Sequence, residues 1–178
     1  MPAERLRKST RVYDGRVVSL RVDEVELPSG RVTEREIVEH RGAVAIVPLT
    51  DAGRILLVRQ YRTAAGRALL EIPAGTIEPD EDILACLHRE LAEEVGMQAN
   101  RVEHLVTFLP SAGFLTEQVH LYLAAGLSPS TREREEEDLE VVTMPLTQAQ
   151  SLIGTEIIDA KSIIGLLMAL FPHHHDGI

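Results

Sequence analysis

The chain has 178 residues, a length that fits one domain, with 28 acidic against 18 basic side chains and a net charge of -10. A hydrophobic share of 44% excludes a wholly disordered chain, and a lone cysteine, Cys86, excludes a disulfide scaffold. No basic stripe is present to neutralise a phosphate backbone, so nucleic acid is not an expected partner.

Met1–Lys8 is charged and leads into no apolar run of signal-peptide length. The most apolar stretch, Ile163–Phe171, is too short to span a bilayer and reads as a buried helix face. No membrane partner is expected, and the single thiol points to a reducing cytoplasm. Val17–Leu27 alternates apolar and polar residues as a half-buried strand does. Pro28-Ser29-Gly30 turns the chain into a second strand, Arg31–His40. Ala43–Leu49 and Ile55–Tyr61 flank Asp51-Ala52-Gly53, a hairpin pattern. Leu69–Ile72 is a short strand ended by Pro73.

Asp80 is placed to cap a helix over Glu81–Val95, and Gly96 to end it. Strands follow at Val102–Leu109, Gln118–Ala125 and Leu139–Met144. A polar loop, Ser128–Asp138, separates the last two and carries Glu133, Glu135, Glu136 and Glu137. Pro145 opens a short helix to Ile153, and Ala160–Phe171 forms another. Meandering strands with few helices predict an α+β fold with a mixed sheet or sandwich, not a doubly wound parallel sheet.

On a helical wheel Ile83, Leu84, Leu87, Leu91 and Val95 form one apolar stripe of the segment Glu81–Gly96. Glu90 and Glu94 fall at its edge, and Glu93 lies beside Glu90. Like charges at this spacing repel by roughly 0.2–0.5 kcal/mol per pair, and nearby apolar surface adds a desolvation cost. Two readings are open: a solvated acidic face, with Arg89 pairing Glu93, or an all-oxygen site for Mg²⁺ or Mn²⁺.

The flanking residues decide between them. Gly75, then Glu81 after five residues, then Arg89-Glu90-Leu91-Ala92-Glu93-Glu94-Val95-Gly96-Met97 after seven, resembles the signature of the Nudix hydrolases. All seven fixed positions match, and Leu91 and Met97 fill both apolar ones. At about 7% per fixed position, a chance match is on the order of one in a million. The resemblance implies metal ligation by Glu90, Glu93, Glu94 and the carbonyl of Ala74. It also implies an ion pair between Arg89 and Glu81 that holds loop and helix together.

Outside the signature the chain is similar to the ADP-ribose pyrophosphatase branch from about Val12 to Phe171. Arg35 and Glu36 match the strand that holds adenine. Arg59 and Arg62 match the substrate-binding strand, whose second arginine contacts the diphosphate. Ser111-Ala112-Gly113-Phe114 with Glu117 resembles that branch's Ser-Pro-Gly-Phe loop, with Ala112 in place of its proline. In the acidic loop, Glu135 matches the proposed general base and Glu137 a further metal contact; Glu93 and Arg89 complete the catalytic set.

The resemblance implies a Nudix α/β/α sandwich with a mixed sheet, spanning residues 41–172. It also implies an N-terminal antiparallel sheet, residues 1–40, exchanged within a homodimer, so that Arg35 and Glu36 serve the partner. Residues 173–178, with His173–His175, remain as a tail. The implied reaction is Mg²⁺-dependent cleavage of ADP-ribose to AMP and ribose 5-phosphate, with Mn²⁺ as a substitute. GDP-mannose, another nucleotide sugar or a dinucleotide is the alternative substrate. A non-catalytic ADP-ribose sensor is the alternative from another class, and the intact carboxylates argue against it.

Overall fold

The computed structural model describes residues 3–132 and 138–170, and their contacts divide into two units. The smaller unit holds the chain up to Gly42 together with Leu109–Gln118. It contains β1 (Arg5–Asp14), β2 (Ser19–Glu26) and β3 (Val32–Glu39), an antiparallel sheet in the order β1-β2-β3. The sequence pattern located β2 and β3 but not β1, and the reason lies in burial. Every residue of β1 is exposed, so no apolar alternation marks it. Within this unit the Leu109–Gln118 segment docks on β3: Val38 N–H donates to Phe114 O at 2.8 Å, and Thr116 N–H to Val38 O at 3.0 Å.

The larger unit begins with β4 (Ala43–Pro48), β5 (Arg54–Arg62), β6 (Arg67–Glu71) and β7 (Ala74–Thr76). Then come α1 (Ile83–Val95), β8 (Met97–Phe108), β9 (Val119–Pro129), β10 (Glu140–Pro145), α2 (Leu146–Ser151) and α3 (Ala160–Met168). Four strands form a mixed sheet in the order β7-β4-β9-β8, in which β4 and β9 run parallel. Three form an antiparallel sheet, β10-β5-β6.

Strands β4 and β5 explain the layering. Both are continuous apolar runs, which suits strands covered on both faces. Val44, Ile46, Leu56 and Val58 join Cys86, Leu87, Leu91 and Val95 of α1 in one core. Their neighbours Ala45, Val47, Ile55 and Leu57 join Ala149 of α2 and Leu166 of α3 in the other. Strand periodicity thus sends alternate residues to opposite helical layers, giving the α+β sandwich with a mixed sheet.

The expected hairpin of β4 and β5 does not form. The two strands belong to different sheets and share one isolated bridge, Leu49 to Ile55. Asp51-Ala52-Gly53 does turn the chain, but the apolar faces on both sides of each strand leave the choice of partner undetermined by local pattern. Leu84, assigned to the apolar stripe of α1, is 43% exposed. The last helix ends at Met168, and Phe171 lies outside the described residues.

Candidate active site

The site is built on β7 and α1. Asp82, not Asp80, caps the helix: its Oδ1 accepts from Leu84 N–H at 2.9 Å and Ala85 N–H at 3.3 Å. Asp80 instead takes the left-handed conformation (φ 62°) in the preceding turn. Gly96 ends α1 with φ 68°, as the sequence required, and returns its N–H to Ala92 O.

Arg89 is the hub of the helix face. Its Nε and Nη2 bind Glu81 at 2.8 and 2.9 Å, and its Nη1 binds Glu90 at 2.5 Å and Glu93 at 3.1 Å. Nη2 also donates to Thr76 O at 3.3 Å. Glu81 accepts Glu78 N–H at 2.9 Å, so the Arg89–Glu81 ion pair ties loop to helix. The hydrogen bond from Arg89 holds the Glu81 carboxyl down to about 2, and Glu81 in turn raises Arg89. One guanidinium thus offsets three carboxylates, Glu90 and Glu93 on the helix and Glu81 in the loop before it.

Glu90 and Glu94 are buried, 6% and 4% exposed. Glu94 accepts Ala74 N–H at 2.9 Å. The carboxylate of Glu90 occupies the space beside Gly75: a Cβ built there would lie 1.8 Å from Glu90 Oε1. The glycine is therefore required by close approach, and two acidic groups flank adjacent backbone positions of β7. Among the described residues no three His, Cys, Asp or Glu side chains converge as a ready-made metal cage. The donor chemistry nevertheless fits a hard divalent cation, with two buried carboxylates, Glu93 one turn away and backbone oxygen nearby. Cys86 is buried and its thiol is pushed up to about 12 by burial, which makes it inert.

The arginines expected to bind substrate are each held by an acid. Arg62 binds Glu71 through Nε and Nη2 at 2.9 and 2.8 Å. Arg59 binds Glu156 at 2.8 Å and lies 3.6 Å from Glu140. In the smaller unit Arg35 pairs with Glu4 at 2.8 Å. Arg35 and Glu36 line a pocket with Leu20, Val38, Gly113 and Phe114. Glu135, Glu137 and the tail histidines lie outside the described residues.

Sequence reasoning places Glu71 in the lead into the box but gives no role to it, to Asp159 or to Lys161. A signal existed for Glu71, the one charge in the apolar run Leu69–Ile72, since a buried carboxylate demands a partner. Lys161 lies 90 residues away and carries no such local mark.

The model of the NUDIX domain matches residues 39–164, most of the chain. The chain belongs to the Nudix family. A second model, the nucleoside diphosphate sugar hydrolase N-terminal domain, matches residues 4–38 of this Nudix protein. Its relatives include the ADP-ribose pyrophosphatase of Bacillus subtilis, 41% identical over 85% of this chain and 84% of that one. The methanol dehydrogenase activator of Bacillus methanolicus is 40% identical over 92% of this chain and 90% of that one. A crystal structure of an ADP compounds hydrolase superposes with a TM-score of 0.85 over 96% of this chain and 94% of that one, at 24% identity, and so has the same fold. The Nudix box is the β7–α1 segment on which Glu90, Glu94 and Arg89 meet.

Proposed function

We propose that this Nudix hydrolase cleaves the diphosphate of ADP-ribose, releasing AMP and ribose 5-phosphate. The observation that supports the chemistry is the pair of buried carboxylates, Glu90 and Glu94, set against a glycine that leaves them room. The substrate reading draws on the relative named ADP-ribose pyrophosphatase.

Glu90, Glu93, Glu94 and the carbonyl of Ala74 would hold Mg²⁺, with Mn²⁺ as a substitute. When bound, a divalent cation supplies charge neutralisation for diphosphate oxygens and acidifies water. Arg89 keeps the helix carboxylates in place by sharing their charge. Arg62, with Arg59 beside it on β5, meets the diphosphate. Arg35 and Glu36 hold adenine. Glu135 would take the proton from the attacking water, and Glu137 would give a further contact to the metal. Water adds across one P–O bond of the diphosphate, and each phosphorus leaves as a monoester. The protein acts in the cytoplasm as a homodimer formed through its N-terminal strands.

The test is product analysis with ADP-ribose, GDP-mannose and a dinucleotide, each with and without Mg²⁺. Metal-dependent release of AMP, preferentially from ADP-ribose, is expected. Preferential turnover of another substrate overturns the substrate assignment, and binding of ADP-ribose without turnover of any overturns the catalytic reading.

A further inference from the structure

A cluster of four charges lies behind the box: Arg62, Glu71, Asp159 and Lys161. Glu71 is 1% exposed. It takes two hydrogen bonds from Arg62 and one from Lys161, which also binds Asp159 at 2.8 Å. Burial alone would push the Glu71 carboxyl up, but its two cations outweigh burial and hold it below its ordinary value. Asp159 caps α3 by accepting Ser162 N–H at 3.2 Å. Ser162 Oγ in turn accepts Ile72 N–H at 2.8 Å. The first turn of α3 therefore grips the end of β6, just before Pro73-Ala74-Gly75.

A buried staple of α3 to β6 would need only Glu71 and Lys161. The placement of Arg62 goes further. Glu71 engages the Nε–Nη2 edge of its guanidinium, two of its five donors. Because the fork is planar, this fixes the plane and turns the remaining donors away from Glu71. Arg62 keeps a side-chain exposure of 39% while its partner is shut in, so the guanidinium is held along one edge without being buried. Glu71 stands three residues before the N–H that holds Glu94, and the charge of Glu94 reaches Arg62. Lys161 matters because it shares the charge of Glu71. Without it that carboxylate would quench Arg62 alone, weakening the field the arginine presents to an anion.

We propose that Glu71 and Lys161 are positioning residues that clamp the Nε–Nη2 edge of Arg62 and aim its remaining donors at the substrate diphosphate. This rests on the reading of Arg62 as the diphosphate contact. Preorganisation of this kind acts on binding and on rate together, and here it should act chiefly on binding.

The experiment combines Lys161→Met, Lys161→Arg and Arg62→Ala, singly and with Lys161→Met placed in the Arg62→Ala background. Steady-state kinetics with ADP-ribose and Mg²⁺ are read beside calorimetric binding of ADP-ribose in EDTA and the thermal midpoint. Lys161→Met is expected to raise KM by about tenfold and to weaken metal-free binding alike. Lys161→Arg should restore both. In the Arg62→Ala background Lys161→Met should cost nothing further, because its effect runs through the arginine. Equal fold-losses in both backgrounds, or an unchanged KM in Lys161→Met, overturn the positioning role alone. Full activity of Arg62→Ala overturns the diphosphate contact and the positioning with it. Glu71→Gln should reproduce the KM effect; if that variant does not fold, the lysine variants decide.

Discussion

Gly75 and Glu90 occupy what would be the same space if residue 75 had a side chain. The atom a new Cβ would strike is the far end of a flexible glutamate, not backbone. Gly75→Ala should therefore fold, with the Glu90 carboxylate pushed off β7. We expect its metal-dependent turnover to fall at least a hundredfold while its circular dichroism is unchanged; a variant that keeps full turnover shows that this contact is not needed. Glu94→Gln keeps the acceptor for Ala74 N–H and removes the charge. It should cost several orders of magnitude in rate with little loss of folding, and near-normal turnover would remove Glu94 from the metal set. Glu81 gives a pH signature of stability. Its folded carboxyl is held at about 2, below an ordinary value of 4.5, by Arg89. Its contribution is thus complete above about pH 4.5 and is lost as pH falls toward 2. Glu81→Gln should lower the melting temperature at pH 7, and that difference should shrink as pH falls toward 2 and Glu81 itself takes up a proton. A gap that stays constant down to pH 2 contradicts the ion-pair account.

Helix α1 was the most legible element because its spacing carries two kinds of information at once. The 3.6-residue apolar period gives the buried face, and the carboxylate spacing gives the chemistry on its edge. Its N-terminus was read two residues early, because Asp80 and Asp82 are chemically equivalent caps in sequence. Only the backbone separates them: Asp80 is at φ 62°, while Asp82 is extended and accepts two N–H groups. Asp82→Ala should therefore destabilise the protein by about 1 kcal/mol, and Asp80→Ala should leave α1 capped. Chemical denaturation of both variants checks this, and equal losses would contradict the assigned cap. Strands β4 and β5 were legible as strands but not as neighbours, since four apolar residues in a row give no face preference. The Glu71–Lys161 pair was illegible for a different reason. It joins β6 to α3 across 90 residues, and nothing local in either segment encodes the other.

At the scale of the whole molecule, β1 is the feature that single-chain packing leaves unexplained. It is ten residues long, pairs with β2 along one edge, and is exposed throughout. Leu6 and Tyr13 on it are 55% and 58% exposed, and Val32 on β3 adds to the uncovered apolar surface. A long open edge strand with apolar side chains invites pairing with another chain unless something covers it. Two of the charges on that strand, Arg5 and Arg7, are turned toward Glu24 and Glu26 of β2 in ion pairs. A homodimer formed through these strands would cover the surface at no cost in added sequence, which is the physical content of the exchange implied by the family likeness. Light scattering should then give about twice 19.7 kDa, or about 39 kDa, for the intact chain. Leu6→Asp and Tyr13→Asp each place a charge on that surface, and each should shift the mass toward that of one chain. If the intact chain scatters as a single copy at micromolar concentration, the strand is an exposed edge in solution and the dimer is withdrawn. If it is a dimer that both variants leave intact, the interface lies on another face, and the exposed residues of β1 need a different partner.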